Sequence, residues 1–281
     1  RIDDFYSDLY ESLRLADVVE RPVEAVIFTE QNRGLGGSGG RVRTNAEEPL
    51  VDILKTGVLK VGYHALEMPY CYKNKYGELV GYDVAYAHQL ARDLDCTIEF
   101  IPLTYGHLKE EIDEGLYDIA MSSIIMSEHR IINMSFTSPY DEQNYVLVVP
   151  ILESKNFLHL NSVIERKGLK IGGARVFLDV MNRHFPLAEL VIATVSEQID
   201  LLMQGKIDAI IWERVPAFIW SLRNPDYIVI DYEGLIGKGY LSYAFHANSP
   251  KFGAFLNNWL LLKKISGFQE KMHNYWFEGI K

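Results

Sequence analysis

A chain of 281 residues, 48% hydrophobic and 23% charged, has the composition of a folded globular protein and the length of one large domain or two ordinary ones. Its 38 acidic against 28 basic residues leave a formal charge of -10, which argues against a nucleic-acid partner, since that would need a concentrated basic surface. No run approaches the ~18 consecutive apolar residues of a membrane-spanning helix.

The first elements lie outside any obvious alternating pattern. Residues 3–15 (DDFYSDLYESLRL) place Phe5, Leu9 and Leu13 four apart with Tyr6 and Tyr10 alongside, which predicts a short amphipathic helix. The opening RIDDFYSDLY holds acids and aromatics and no leader-like apolar stretch, so the chain reads as a processed form or an excised domain. PVEAVIFTE predicts a strand, and GLGGSGG (Gly34–Gly40) follows. The literal pattern G-x-G-x-x-G is present at Gly34, Gly36 and Gly39, but a dinucleotide site needs that turn to open a helix. RVRTNAEEP comes next, with Pro49 at its end and no apolar helical stripe, so residues 1–50 read as an N-terminal extension with a flexible glycine-rich linker.

From residue 51 the pattern changes. VDILKTG predicts a helix end, VLKVGYH a strand, and KYGELVGY a turn between short strands. DVAYAHQLARDL aligns Val84, Ala87, His88, Ala91 and Leu94 on one helical side. CTIEFIPL, HLKEEIDEGL, YDIAMSSI and YVLVVPIL then read strand, helix, strand, strand. The alternation restarts with LKIGGA, FLDVMNRHF, LVIATV, SEQIDLLMQGK (a helix capped by Ser196), IDAIIW and DYIVID. Two such blocks of about 90 residues predict two α/β lobes rather than one continuous sheet. The tail is helical, with Trp259, Leu260, Phe268 and Trp276 as packing candidates. The two cysteines, Cys71 and Cys96, are open to two readings, a disulfide or two buried thiols. The eight histidines are scattered, without the close pairs that zinc sites favour, and neither a metal nor a cofactor is expected.

Several segments resemble, in order, the bacterial extracellular solute-binding proteins of the polar amino acid class. They are GVLKVGY with Pro69 and Tyr70, GELVGYDVAYAHQLARDL, GLYDIAMSS with SEHR and FTSPY, and GKIDAIIWE. The resemblance covers about residues 51–281 and implies an α/β, two-lobed type II periplasmic-binding-protein fold with two hinge crossings. It places residues 51–145 plus 239–281 in lobe 1 and 146–238 in lobe 2, with crossings near Tyr145–Val149 and Gly239–Phe245.

The resemblance also implies a site. An α-amino acid carries a carboxylate and an ammonium, and each charge must be paired when buried. Arg130 matches the position whose guanidinium forks onto the ligand carboxylate, although on the residues alone it is open to pairing with Glu128 or Asp141. Glu213, five residues after Asp208, matches the acid that holds the ammonium, with Arg214 as an alternative partner. Ser122 and Ser123 match strand-end ligand contacts, and Tyr105 an aromatic wall. Glu67 and His64 fall in the loop that sets side-chain specificity.

Two departures stand out. Ile125 occupies a position where the family has a hydroxyl, and the small turn of the second lobe reads RVFL. Val176 and Phe177 there are expected to restrict the approach of backbone, while Arg175 is a candidate second cation. The function implied is capture of an amino acid-like ligand between lobes, outside the cytoplasm or in the periplasm. The membrane partner would be a transporter permease, a fused transporter or a sensor. The rival is a dehydratase on the same fold acting on prephenate or arogenate, with Glu213 or Glu67 as its acid.

Overall fold

The computed structural model describes residues 16–32 and 48–278. The helix expected over residues 3–15 and the glycine-rich stretch Gly34–Gly40 lie outside the described residues. The chain divides into two compact units, one running to Tyr140 and resuming at Leu241, the other spanning Asp141–Tyr240.

In chain order the first unit holds β1 (Ala25–Ile27), α1 (Pro49–Thr56), β2 (Val58–Tyr63), β3 (Leu66–Glu67), β4 (Cys71–Lys73), β5 (Leu79–Val80), α2 (Tyr82–Asp93), β6 (Thr97–Pro102), α3 (Leu108–Asp113), β7 (Ile119–Ala120), α4 (Glu128–Ile131) and β8 (Ser135–Phe136). The second unit holds β9 (Asp141–Pro150), α5 (Leu160–Ile164), β10 (Lys170–Gly173), α6 (Leu178–His184), β11 (Glu189–Ile192), α7 (Val195–Met203), β12 (Ala209–Glu213), α8 (Arg214–Arg223) and β13 (Tyr227–Ile230). β14 (Lys238–Leu241) returns the chain to β15 (Ala244–Phe245), α9 (Pro250–Ile265) and α10 (Phe268–Phe277).

The sheet of the first unit runs β1-β6-β2-β7-β15-β8, and a small sheet β3-β4-β5 stands beside it. β1, β6, β2 and β7 are parallel, whereas β15 is antiparallel to both β7 and β8. Leu59 and Val61 on β2 and Ile98 and Phe100 on β6 alternate with half-buried residues, as the period of a strand requires. The predicted apolar side of α2 is buried, but so are Tyr82, Ala85 and Tyr86. The cause is the tail: Trp259 and Phe268 meet Tyr86 edge-on, and Phe277 meets Tyr82, so α2 is covered by helices as well as by sheet. Trp259 and Trp276 are buried, as the tail pattern predicts.

Residues 16–28 are built into this unit. Tyr72 Oη donates to Ala16 O (2.6 Å), Asn74 Nδ2 to Asp17 O (2.9 Å), and Tyr63 Oη to Phe28 O (2.7 Å). β1 then adds a parallel edge strand to β6. Between these anchors the Val23 N–H donates to Nδ1 of His88, which is 5% exposed and packs edge-on against Phe100.

The second unit's sheet runs β11-β10-β12-β9-β13, with β14 also paired to β9. Val146, Leu147, Val148 and Val149 are fully buried, because β9 has β12 on one side and β13 on the other. The expected first crossing, Tyr145–Val149, therefore lies inside this sheet, and the chain passes from one unit to the other at Tyr140–Asp141. The cap of α7 is Thr194 rather than the expected Ser196: Thr194 Oγ1 accepts the Glu197 N–H while the Glu197 carboxylate accepts the Thr194 N–H (2.8 Å).

Cys71 and Cys96 are both free and buried, which settles the two readings in favour of thiols. Burial pushes both thiols up, Cys96 to about 11, so neither is a ready nucleophile. Among the described residues no group of three or more His, Cys, Asp or Glu side chains could hold a metal ion, and no helix is long and apolar enough to cross a membrane.

His88 gives this fold a pH dependence with a definite sign. Burial first, and Arg92 second, lower its pKa from 6.5 to about 4, so the folded state keeps a neutral imidazole where the unfolded chain takes up a proton. Stability from this group is complete above pH 6.5 and is lost as pH falls toward 4, by about 3 kcal/mol in all. In His88→Asn, which keeps an acceptor for Val23, denaturant titrations across that window should show a shallower loss than the parent. Parallel curves for the two proteins would contradict the assignment.

Candidate functional site

The site residues of the first unit are placed by the ends of its parallel strands. β2 and β7 run side by side, with Val61 opposite Ile119 and Gly62 opposite Ala120, so His64 and Ser122 emerge together past their carboxyl ends. That edge of a parallel sheet is where ligands of α/β proteins bind. The Ser122 Oγ accepts the His64 N–H (3.0 Å) and donates to the His64 carbonyl (3.1 Å), and the residue is fully buried. The Ser122 hydroxyl thereby fixes the main chain of the first loop.

Ser123 follows with φ at 44°, in the left-handed region. Its hydroxyl donates to Glu67 Oε2 (3.2 Å), and the other carboxylate oxygen of Glu67 lies 3.3 Å from His64 Nδ1. Tyr105 closes the group. Its hydroxyl donates to Ser122 O (2.8 Å) and its ring lies 5.0 Å from that of His64, tilted by 57°. Burial, then the nearby charge of Glu67, pushes the Tyr105 phenol well above its usual range, so it stays a donor. His64, Glu67, Tyr105, Ser122 and Ser123 thus form one continuous cluster.

Arg130 is held by Ile125, two residues after Ser123 in the chain. The short helix α4 carries the arginine, and its Nη1 donates to Ile125 O (2.8 Å). Ile125 is 5% exposed and bridges Leu241. The residue that replaces a hydroxyl is therefore an apolar anchor whose carbonyl orients the guanidinium.

In the second unit Arg175 and Glu213 occupy the same kind of place. β10 and β12 are parallel, with Ile171 opposite Ala209 and Gly172 opposite Ile210, so both residues lie at or just past the carboxyl ends of neighbouring strands. Glu213 is half-buried, sits opposite Tyr145 and leads directly into α8. Arg214 pairs with Asp231 (3.2 Å). Arg175 is exposed at the start of a short 3-10 turn. Phe177 does not crowd that turn as expected: it is 2% exposed and its ring stands edge-on to Tyr145 at 5.0 Å, which turns its bulk into the unit.

Three residues of the neighbourhood escaped the sequence reading. Asp83, Tyr140 and Tyr243 are buried, and the Asp83 carboxylate accepts the Ser123 N–H (2.7 Å) as well as the hydroxyls of Tyr140 (2.9 Å) and Tyr243 (3.0 Å). The available signal was an acid among apolar and aromatic residues in the first turn of an amphipathic helix, where water is not at hand to solvate it.

Loss of the Ser122 hydroxyl should be felt as stability. Ser122→Ala removes both hydrogen bonds from the part-buried main chain of His64, and urea unfolding should show a loss of about 2 kcal/mol. A change below about 0.5 kcal/mol would mean that water replaces the hydroxyl at no cost.

Comparison with known proteins bears on what these strand ends serve. The cyclohexadienyl dehydratase of Pseudomonas aeruginosa is 24% identical over 240 residues, 83% of this chain and 88% of that protein. The ABC transporter arginine-binding protein 1 of Escherichia coli is 24% identical over 207 residues, 71% of this chain and 82% of that protein. Among solved structures, an L-arginine-bound amino acid ABC transporter substrate-binding protein from Streptococcus pneumoniae superposes with a TM-score of 0.69 at 21% identity, covering 82% of this chain and 98% of that one. An ancestral amino acid-binding protein, a precursor of cyclohexadienyl dehydratase, gives a TM-score of 0.69 at 23% identity, covering 81% and 99%. These neighbours share the two-lobed α/β fold of periplasmic amino acid-binding proteins. The sequence profile of one family matches residues 59–279, most of the chain, and the protein therefore belongs to the bacterial extracellular solute-binding proteins, family 3.

Proposed function

We propose that the protein is a non-catalytic receptor that captures a small amino acid between its two lobes, outside the cytoplasm, and presents it to a membrane partner. The observation that carries this reading is the strand-end cluster of the first unit, together with the Arg130 guanidinium oriented by the carbonyl of Ile125, two residues after Ser123. A planar fork of donors held in place is suited to a carboxylate, and holding it in advance lowers the entropy lost on binding. Glu213, at a strand end of the other unit, supplies the acid for the ammonium. Tyr105, Glu67 and His64 surround the ligand side chain, and Arg175 is a second cation available to it. Ser122 contributes by fixing the loop that carries His64. The resemblance implies residues 51–145 plus 239–281 as lobe 1 and 146–238 as lobe 2; the compact units divide at Tyr140–Asp141 and Tyr240–Leu241 instead, and residues 16–28 join the first. Relatives that serve ABC transporters support a permease as the partner, and a fused transporter or a sensor uses the same closure.

The dehydratase reading is favoured by one observation, the similarity to cyclohexadienyl dehydratase over most of the chain. Its acid would be Glu213 or Glu67, donating a proton to the leaving hydroxyl of prephenate or arogenate.

A thermal-shift screen over the amino acids tests the proposal. One amino acid at about a hundred times its Kd should raise Tm by roughly 5 °C. Arg130→Ala should abolish that shift, and Arg130→Lys should not restore it, because a single ammonium cannot copy the fork. The proposal is contradicted by a screen in which nothing shifts, by an Arg130→Ala protein that keeps the shift, or by turnover of prephenate.

A further inference from the structure

Asp83 is a carboxylate with no exposed surface, in the second position of α2. The start of that helix is fixed from both directions. Its N-cap Gly81 has φ at 131°, and a Cβ there would lie 2.3 Å from Tyr70 O. The next two amides donate to the loop that follows β3, Tyr82 N to Pro69 O (2.9 Å) and Asp83 N to Tyr70 O (2.8 Å). Any side chain at residue 81 would push the helix off that loop. An acid in the first turn of a helix is favoured by the helix dipole, and this one also collects donors from three separate segments.

Those segments are the parts of the first unit that matter most for a receptor. Oδ2 accepts the N–H of Ser123 (2.7 Å), the residue held at φ 44° whose hydroxyl reaches Glu67. Oδ2 also accepts the hydroxyl of Tyr140 (2.9 Å), the last residue before the chain leaves for the second unit. Oδ1 accepts the hydroxyl of Tyr243 (3.0 Å), two residues after the chain returns. The two tyrosine rings stack at 4.3 Å, and the departing and returning segments are bonded to each other, Tyr140 N to Leu241 O (2.9 Å) and Thr137 N to Tyr243 O (3.0 Å). Burial, then the charge of Asp83, pushes both phenols well above their usual range, so they stay protonated donors to the carboxylate.

We infer that Asp83 is a positioning residue that couples the ligand turn at Ser123 to both crossings of the chain, so that ligand engagement and the set of the hinge depend on one buried carboxylate. The inference rests on the amino acid-receptor reading and adds to it the group through which the hinge senses the ligand. Hydrogen bonds to a charged acceptor are about twice as strong as neutral ones and lose strength steeply with misalignment, so a shift of Ser123 is felt by both phenols.

Three variants separate positioning from bulk stability. Asp83→Asn keeps the shape: its carbonyl can hold Ser123 and Tyr140, and the Tyr243 hydroxyl can rotate to accept from the amide. Tyr140→Phe and Tyr243→Phe each remove one hydroxyl that donates to Asp83. Kd and the dissociation rate are measured by stopped-flow fluorescence on folded protein, well below each variant's Tm, with the amino acid that gave the largest shift in the screen.

The expected result is a Kd weakened about tenfold in Asp83→Asn and about threefold in each tyrosine variant, with the tyrosine effects smaller in the Asp83→Asn background, where the acceptor is neutral. A purely structural role would lower Tm and leave Kd and the dissociation rate within about twofold of the parent, and that outcome overturns the inference alone. A parent protein that binds no amino acid overturns the receptor reading and the inference with it.

Discussion

A buried carboxylate is costly unless donors are gathered around it, and the first unit is arranged so that Asp83 gathers them. The helix that carries it must start at Gly81, against the Tyr70 carbonyl, and the segments that leave and re-enter the unit must bring Tyr140 and Tyr243 to it. Around this group the aromatic side chains of α2, α9 and α10 close a dry layer: Tyr82 stacks on Tyr86 and Tyr140, while Trp259, Phe268 and Phe277 cover the far side. That layer keeps water away from the carboxylate. The hydrogen bonds within it are correspondingly strong, and the Ser123 turn inherits their rigidity.

Rigidity at that turn is what a receptor for a small polar ligand needs. The contacts around Ser122, Ser123, Glu67, His64 and Tyr105 are formed among the protein's own groups, and the Arg130 guanidinium already has an orienting partner in Ile125 O. Groups fixed before the ligand arrives lose less entropy on binding. In the second unit Arg175 and Glu213 lie at or just past the ends of two parallel strands, and Phe177 packs edge-on against Tyr145. The family to which the chain belongs is one of extracellular solute-binding proteins.

The alternation of strands and helices from residue 51 onward was legible because the elements carry either a period, as in Leu59 and Val61, or a short continuous apolar run, as in Val146 to Val149. The strand in PVEAVIFTE was legible too, but not its partner, since β1 pairs with β6 across most of a domain. The cap of α7 was misplaced by two residues because Thr194 and Ser196 both carry a hydroxyl, and only the reach of Glu197 separates them. Phe177 reads as an obstruction in a turn until Tyr145, on another strand, gives its ring somewhere to go. Ile125 reads as a missing hydroxyl, although its carbonyl is the part that acts. Tyr140 and Tyr243 are ordinary tyrosines in the sequence, and their convergence on Asp83 is a fact of tertiary structure alone.

The account stands on a ligand gripped by both of its α-charges. Calorimetric titration of the bound amino acid beside its carboxamide and its N-acetyl derivative tests this directly. Each derivative keeps the side chain and removes one charge, leaving a protein charge without its partner. The account predicts that both derivatives bind at least about a hundredfold more weakly than the parent amino acid, the carboxamide losing its partner in Arg130 and the acetylated form in Glu213. A carboxamide or N-acetyl derivative that binds as tightly as the amino acid would contradict it.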